Sequence, residues 1–313
     1  MFKKIITALV LMIVSIGFAA CSNTNGEDKS TLNKESVGSS ISVVVSFNPL
    51  KEFAEAVGGD KIQVKVVVPD GTEPHDFEPK PRDMENISKA KVFVYNGLGM
   101  EGWTEKTLKA IDSKSLVVVD ASKGAELIKS EEHEEEEKEE DHEHGEYDPH
   151  IWLSLKEAKT QARNIKDALV EVDGSNKEYY EKNYAAFLEK LDGLYSEYKS
   201  KFDILANKNF VTGHAAFAYL CRDFGLKQSS VESVFAEGEP TPQKMKQLID
   251  FSKANGIKVI FMEEMASPEV SKTIATEIGA RVEKIYTIES KEDNKDYIQS
   301  MKTNLEKIYT SLK

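Results

Sequence analysis

From residue 41 onward the chain alternates short runs of β-branched and aromatic residues with longer stretches in which apolar side chains recur every three to four positions. The runs at 41–47, 61–68, 91–96 and 115–120 are nearly continuous in Val and Ile, as expected of strands buried on both faces of a parallel sheet. Helical periods fill the gaps: one opening at Asn48-Pro49, with Asn48 as N-cap, and others near 82–89 and 102–111. After a long polar interruption comes a helix over 154–172, where Ser154 and Glu157 form a capping-box pair. Ser175 and Glu178 form a second such pair. They open a segment of about thirty residues with Tyr180, Tyr184, Phe187, Leu188, Leu191, Tyr195, Tyr198 and Phe202 on one face. At about 1.5 Å per residue this helix would run roughly 45 Å, long enough to connect two lobes rigidly. The alternation then restarts, with strands at 209–213, 227–231, 258–262 and 281–287 and helices near 215–224, 241–254, 268–278 and 294–311. Thr241-Pro242 and Ser267-Pro268 are helix starts. The expected fold class is α/β: two lobes, each a parallel sheet flanked by helices, joined by one long rigid helix.

The N-terminus departs from this pattern. Lys3 and Lys4 precede an apolar stretch from Ile5 to Phe18, then Ala19, Ala20 and Cys21. That is the layout of a secretory leader, too short and wrongly flanked for a spanning helix. Cys directly after two alanines points to a lipidation site, although Phe18 stands where such motifs usually carry Leu. Residues 22–40 are polar and aperiodic, a flexible tether. The expected layout is a signal peptide at 1–20, a lipidated tether at 21–40, an N-terminal lobe at 41–175, a linking helix at 176–206 and a C-terminal lobe at 207–313. One acyl anchor would hold a soluble body at the outer face of a membrane. The mature body keeps a single further cysteine, Cys221, so it can form no intrachain disulfide; a buried thiol is expected there.

Charge changes the picture only locally. The net charge is −13, but residues 131–146 carry eleven acidic residues and one Lys, leaving −3 for everything else. No basic face is on offer, so nucleic-acid binding is excluded as a reading. The acidic run lies within an expected loop at 129–147 and cannot bury apolar area. It does contain His133, His142 and His144, an unusual content for a mere spacer.

The other three histidines, His75, His150 and His214, lie far apart, each in a loop bordering a regular element. In parallel α/β sheets, ligands bind beyond the carboxyl ends of the strands. His75 follows the strand at 61–68, His214 follows 209–213, Glu289 follows 281–287, and His150 ends the loop after the fourth strand. All four can meet at one rim, two from each lobe. Imidazole nitrogen with carboxylate oxygen suits zinc. Glu263 and Glu264, ending the strand at 258–262, compete with Glu289 for the fourth place. Asp148 is either an acceptor that orients a ligand ring or an ordinary turn residue, and Trp103 and Phe77 are expected to wall the cleft. A zinc-dependent hydrolase is the alternative class, but it needs an open coordination position, and the chain has neither an H-E-x-x-H nor a G-x-S-x-G motif. An adhesin is a third reading that no residue supports.

The blocks PDGTEPHDFEP, NGLGMEGW, YDPHIWLS, VTGHAAFAYL, EGEPTP and FMEE, in this order, resemble the zinc-binding solute-binding lipoproteins of metal ABC importers, the ZnuA/AdcA-like branch of the cluster A-I metal receptors. The resemblance covers about 41–313. It implies two α/β lobes bridged by a long helix, and a non-enzymatic, monomeric receptor outside the cytoplasm. That receptor captures Zn²⁺ between its lobes and passes it to a permease with its ATPase subunit. It implies His75, His150 and His214 as metal ligands, Glu289 by position as the fourth, and an acidic loop that collects or senses zinc. Manganese receptors of the same family resemble this chain but place a carboxylate where His214 stands. Three imidazoles and one carboxylate therefore shift the expectation toward zinc, with geometry left to discriminate against copper.

Overall fold

A computed structural model of the chain describes residues 40–111, 114–130, 145–234, 241–264 and 268–313. The leader, the tether with Cys21, and the acidic run with His133, His142 and His144 lie outside the described residues.

Two four-stranded parallel sheets form the frame. The first contains β1 (Ile41–Val45), β2 (Ile62–Val66), β3 (Val92–Tyr95) and β4 (Val117–Asp120), in the order β2-β1-β3-β4. The second contains β5 (Asn209–Thr212), β6 (Lys227–Ser230), β7 (Val259–Met262) and β8 (Arg281–Lys284), in the equivalent order β6-β5-β7-β8. The helices are α1 (Asn48–Gly58), α2 (Pro81–Lys89), α3 (Thr104–Ala110), α4 (Leu155–Val172), α5 (Lys177–Asp203), α6 (Ala218–Phe224), α7 (Pro242–Ala254), α8 (Pro268–Ile278) and α9 (Tyr297–Ser311). At 27 residues, α5 is about 40 Å long. It packs on α1 and α4 from the first lobe and on α6 and α9 from the second.

The two-residue period of each strand divides the apolar side chains between two layers. In the first lobe, Val43, Val45, Val92 and Val94 face one core while Val44 and Phe93 face another. In the second, Phe210, Val259 and Phe261 point one way, and Val211 and Ile260 the other. The outer layers are separate. The inner layers are not: one continuous core runs from Val43 and Phe53 through Phe187 and Leu191 of α5 to Phe210, Leu305 and Ile308.

Several sequence expectations change in detail. Asn48 is the first helical residue of α1, not its cap; its side chain reaches into the other lobe. Ser154 does cap α4, accepting from the backbone N–H of Lys156 and Glu157. Glu157, however, turns to Arg222 (2.7 Å) rather than back to the cap. Ser175 bonds Asp173 instead of capping α5, which follows a 3₁₀ turn and has no side-chain cap. Thr241 caps α7 as its sequence position suggests. Trp103 does not wall the cleft: it is buried in the outer core of the first lobe against Phe93. Cys221 is a buried thiol in the shared core, and burial pushes its pKa up.

Candidate metal centre

The carboxyl ends of β2, β4, β5 and β8 deliver the four side chains singled out above. One ligand atom from each of His75, His150, His214 and Glu289 lies within 4.8 Å of the other three. The His150 Nε2 atom is 3.3 Å from His75 Nε2 and 3.0 Å from His214 Nε2, and 4.0 Å from Glu289 Oε1. A tetrahedral zinc with bonds of about 2.0–2.1 Å to nitrogen separates its donors by about 3.3–3.4 Å. The spacing of the imidazoles is therefore that of donors to one small cation. Among the described residues Glu289 Oε1 is buried and accepts no hydrogen bond, with the His150 Nε2 atom 4.0 Å away. His150, His214 and Glu289 are buried, and His75 is half-buried at the edge.

Each ligand is placed by identifiable contacts. His150 follows the Asp148-Pro149 turn. Asp148 Oδ1 accepts both from the His150 backbone N–H and from its Nδ1 side, each at 2.8 Å, which favours the tautomer protonated at Nδ1 and leaves the Nε2 lone pair toward His75 and His214. Behind the turn, Gln161 donates to Asn96 Oδ1 (2.9 Å), and Asn96 donates to the Pro149 carbonyl (2.8 Å). Glu101 in turn accepts from the N–H groups of Asn96 (2.7 Å) and Gly97 (3.1 Å). Gly97 and Gly99 sit at φ +85° and +83°, a left-handed path that glycine takes without steric penalty.

His214 sits two residues beyond β5, after Gly213, and is followed by α6. Its carbonyl accepts from Thr212 Oγ1 and Gln228, both at 2.7 Å, and its N–H donates to Glu263 Oε2 at 3.2 Å. Glu263 is thus committed to holding the His214 backbone, and Glu264 pairs with Lys284 at 3.6 Å; neither joins the group of four. Glu289 lies beyond β8, after Ile288, whose φ of +64° is a strained value for a β-branched residue. The Ile288 carbonyl accepts from Asn48 Nδ2 at 3.3 Å, and Glu289 Oε2 accepts from Thr287 Oγ1 at 2.9 Å. The His75 loop is tied more lightly. The His75 N–H donates to Glu73 (3.3 Å), Gly71 N–H donates to Ser290 Oγ (2.8 Å) and Asp70 accepts from Lys291 N–H (2.9 Å).

The electrostatics of the pocket favour an incoming positive charge. Burial, reinforced by the nearby Glu73 carboxylate, holds the Glu289 carboxyl well above its usual range. Burial and then the neighbouring His150 hold His214 well below the usual histidine value, so its imidazole is neutral and able to donate an electron pair. Burial also raises Glu263, to about 8, and Glu73. A divalent cation relieves the repulsion among these carboxylates and repays the desolvation of Glu289. Sequence reasoning offered Asp148 as an acceptor for a ligand ring, the place it takes beside His150, and Glu263 as a rival fourth ligand, which it is not. It missed Glu73, Thr287, Asn96 and Gln161, since nothing in their local sequence distinguishes them, whereas Asp148 stands two residues before a histidine.

The family described as "Zinc-uptake complex component A periplasmic" matches residues 43–311. A "Putative metal-binding protein" of Treponema pallidum (strain Nichols) is 44% identical over 272 residues, covering 86% of each chain. The "High-affinity zinc uptake system protein ZnuA" of Bacillus subtilis (strain 168) is 39% identical over 319 residues, covering 100% of this chain and 99% of that one. Among solved structures, a Zn(II)-bound AdcAII mutant variant of Streptococcus pneumoniae superposes with a TM-score of 0.78 at 32% identity, covering 88% of this chain and 100% of the other. With the whole two-lobed body matched, the chain belongs to the periplasmic component A family of zinc-uptake complexes.

Proposed function

We propose that this protein is the extracytoplasmic receptor of a zinc importer, capturing Zn²⁺ between its lobes and delivering it to an ABC permease and its ATPase subunit. The observation that carries the reading is the convergence of His75, His150, His214 and Glu289, two from each lobe, within 4.8 Å. Three imidazole nitrogens and one carboxylate form a closed tetrahedral set for zinc. The third imidazole, His214, disfavours manganese, which prefers oxygen donors. Because Glu289 supplies the fourth donor, no coordination position remains for the water that a zinc hydrolase activates. The role is therefore binding and release.

The rest of the chain supports the same reading. Residues 1–20 serve as the leader, and Cys21 carries the lipid anchor with its tether through residue 40. The lobes at 41–175 and 207–313 and the helix at 176–206 form a monomeric body at the membrane surface. No described helix is long and apolar enough to cross a membrane. The acidic loop at 129–147, with His133, His142 and His144, gathers zinc at weak, auxiliary affinity.

The test is a competition titration of the chain starting at Cys21, with zinc and manganese, on wild type and Glu289→Ala. Tight one-site zinc binding that manganese does not displace, weakened by the substitution, is expected. Manganese preference would make the protein a manganese receptor. Zinc binding indifferent to Glu289→Ala would leave an open position and return the hydrolase to consideration. Deleting 131–144 should remove weak extra zinc and leave the tight site intact.

A further inference from the structure

The contacts that seat two of the ligands cross from one lobe to the other, and they do so in both directions. His150 belongs to the first lobe, but the loop carrying it is gripped by the second. Tyr219, on α6, is buried and donates its hydroxyl to the Asp148 carbonyl at 2.7 Å while accepting from the Ile128 N–H at 3.1 Å. Asp148 is the residue whose carboxylate orients the His150 ring. At the far end of the same loop, the Trp152 indole donates to the Thr287 carbonyl (2.7 Å), and Tyr297 donates to the Trp152 carbonyl (2.6 Å). Glu289 belongs to the second lobe, yet the strained Ile288 peptide just before it is held by Asn48, on α1 of the first. Thr287 joins the two systems: its carbonyl receives Trp152, and its hydroxyl bonds Glu289.

We propose that Tyr219 and Asn48 are positioning residues for metal capture, Tyr219 from the second lobe seating His150 of the first and Asn48 from the first lobe seating Glu289 of the second. Completion of the ligand set and contact between the lobes then become one event. If the lobes part, His150 loses the outer support of its orienting carboxylate, and the peptide at Ile288 loses the bond that offsets its strain. Zinc is released from a site whose geometry has already loosened, not pulled from an intact one. Among the described residues, both hydrogen bonds of the Tyr219 hydroxyl go to the two segments that flank the acidic run, at Ile128 and Asp148.

This inference rests on the zinc-receptor reading, so its test carries a control for that reading. The full mature chain would be compared as wild type, Tyr219→Phe, Asn48→Ala, His214→Ala and Tyr180→Phe. The last removes a hydroxyl bonded to Asp173 at 2.7 Å, at the start of α5 and away from the ligands. Three readouts are needed: zinc dissociation rate by chelator competition, the visible spectrum of the Co²⁺-loaded protein, and the melting temperature without metal. Tyr219→Phe and Asn48→Ala are expected to speed dissociation by up to about 10-fold, the low end of the range for direct partners of metal ligands, since each acts through the peptide beside a ligand, and to alter the cobalt spectrum. Tyr180→Phe should leave both at wild-type values even where it lowers the melting temperature. Wild-type dissociation and spectra in Tyr219→Phe and Asn48→Ala would overturn the proposal, as would an equal effect from Tyr180→Phe. If His214→Ala binds zinc as wild type does, the receptor reading itself falls.

Discussion

The loops that carry His75 and His150 come from the same lobe and supply the same kind of nitrogen to the same point, yet they are built differently. The His150 loop is buried, with hydrogen bonds at Asp148, Pro149 and Trp152 to partners shielded from water. The His75 loop holds to the other lobe through Gly71–Ser290 and Asp70–Lys291, where the bonds are exposed and water competes for every group. The contrast separates a template, whose geometry is set by the fold, from an arm that completes the shell at its surface. Buried networks gain from the low local dielectric what exposed ones lose to solvent.

The most severe way to break this comparison is to remove each ligand. His150→Ala and His75→Ala should each weaken zinc binding by more than about 100-fold, beyond the usual effect of an outer partner. They should differ in stability. His150→Ala leaves a cavity and takes from buried Asp148 its ring partner, keeping only the backbone N–H bond, which lowers the metal-free melting temperature, whereas His75→Ala should leave it nearly unchanged. Equal melting temperatures for the two would erase the distinction. Calorimetry in the presence of a chelator measures it.

A smaller effect is expected one shell out. Asp148→Asn should cost about 10- to 100-fold in zinc affinity, because the ring loses its carboxylate acceptor. Glu73→Gln, at the backbone of His75, should cost less than Asp148→Asn. A larger loss at Glu73 would mean that the half-buried ligand is the more tightly governed of the two.

The smallest effect is on pH dependence without metal. Burial raises Glu263 to about 8, Glu101 and Glu292 to about 7, and Glu289 well above its ordinary value. A carboxyl whose folded pKa is raised contributes stability that is complete below its unfolded value of 4.5 and lost as pH rises through the folded pKa. His214, shifted downward, acts oppositely, costing stability as pH falls below about 6.5. Between about 6.5 and 8 the several raised carboxyls change more than His214, whose opposing contribution is half spent at 6.5, so the metal-free melting temperature should fall across that window. The fall should be shallower with zinc bound, since Glu289 then faces a cation. A melting temperature that rises from pH 6.5 to 8 would contradict the buried-carboxyl account. Zinc affinity itself should weaken as pH drops through the histidine range, where protons compete for the imidazoles.

Much of this was readable in the chain because it depends on local pattern. The Val-rich runs became strands, and Ser154 and Thr241 became caps, because period and capping act over a few residues. The rim meeting of three histidines and Glu289 was legible because parallel topology sends the ends of β2, β4, β5 and β8 to one side. Residues whose partners lie far along the chain were misread. Asn48 looked like a cap but serves Ile288, 240 positions away, and Glu157 looked like half of a capping box but serves Arg222. Trp103 looked like a cleft residue because its motif lies near the rim, yet at the start of α3 it packs into the outer core against Phe93. Nothing in a β-branched residue announces a left-handed backbone, so Ile288 was invisible.

The described residues on either side of the acidic run are paired: Ser130 N–H donates to the Glu146 carbonyl at 3.1 Å, Lys129 is bridged to Tyr147, and Asp148 N–H donates to the Ile128 carbonyl at 2.9 Å. Closing a loop whose ends are already stapled costs only about 0.6 kcal/mol for each doubling of its length. The position is therefore a natural graft point. A module inserted there would have both its ends held by the two segments that Tyr219 bonds, at Ile128 and at Asp148, beside the residue that orients the His150 ring.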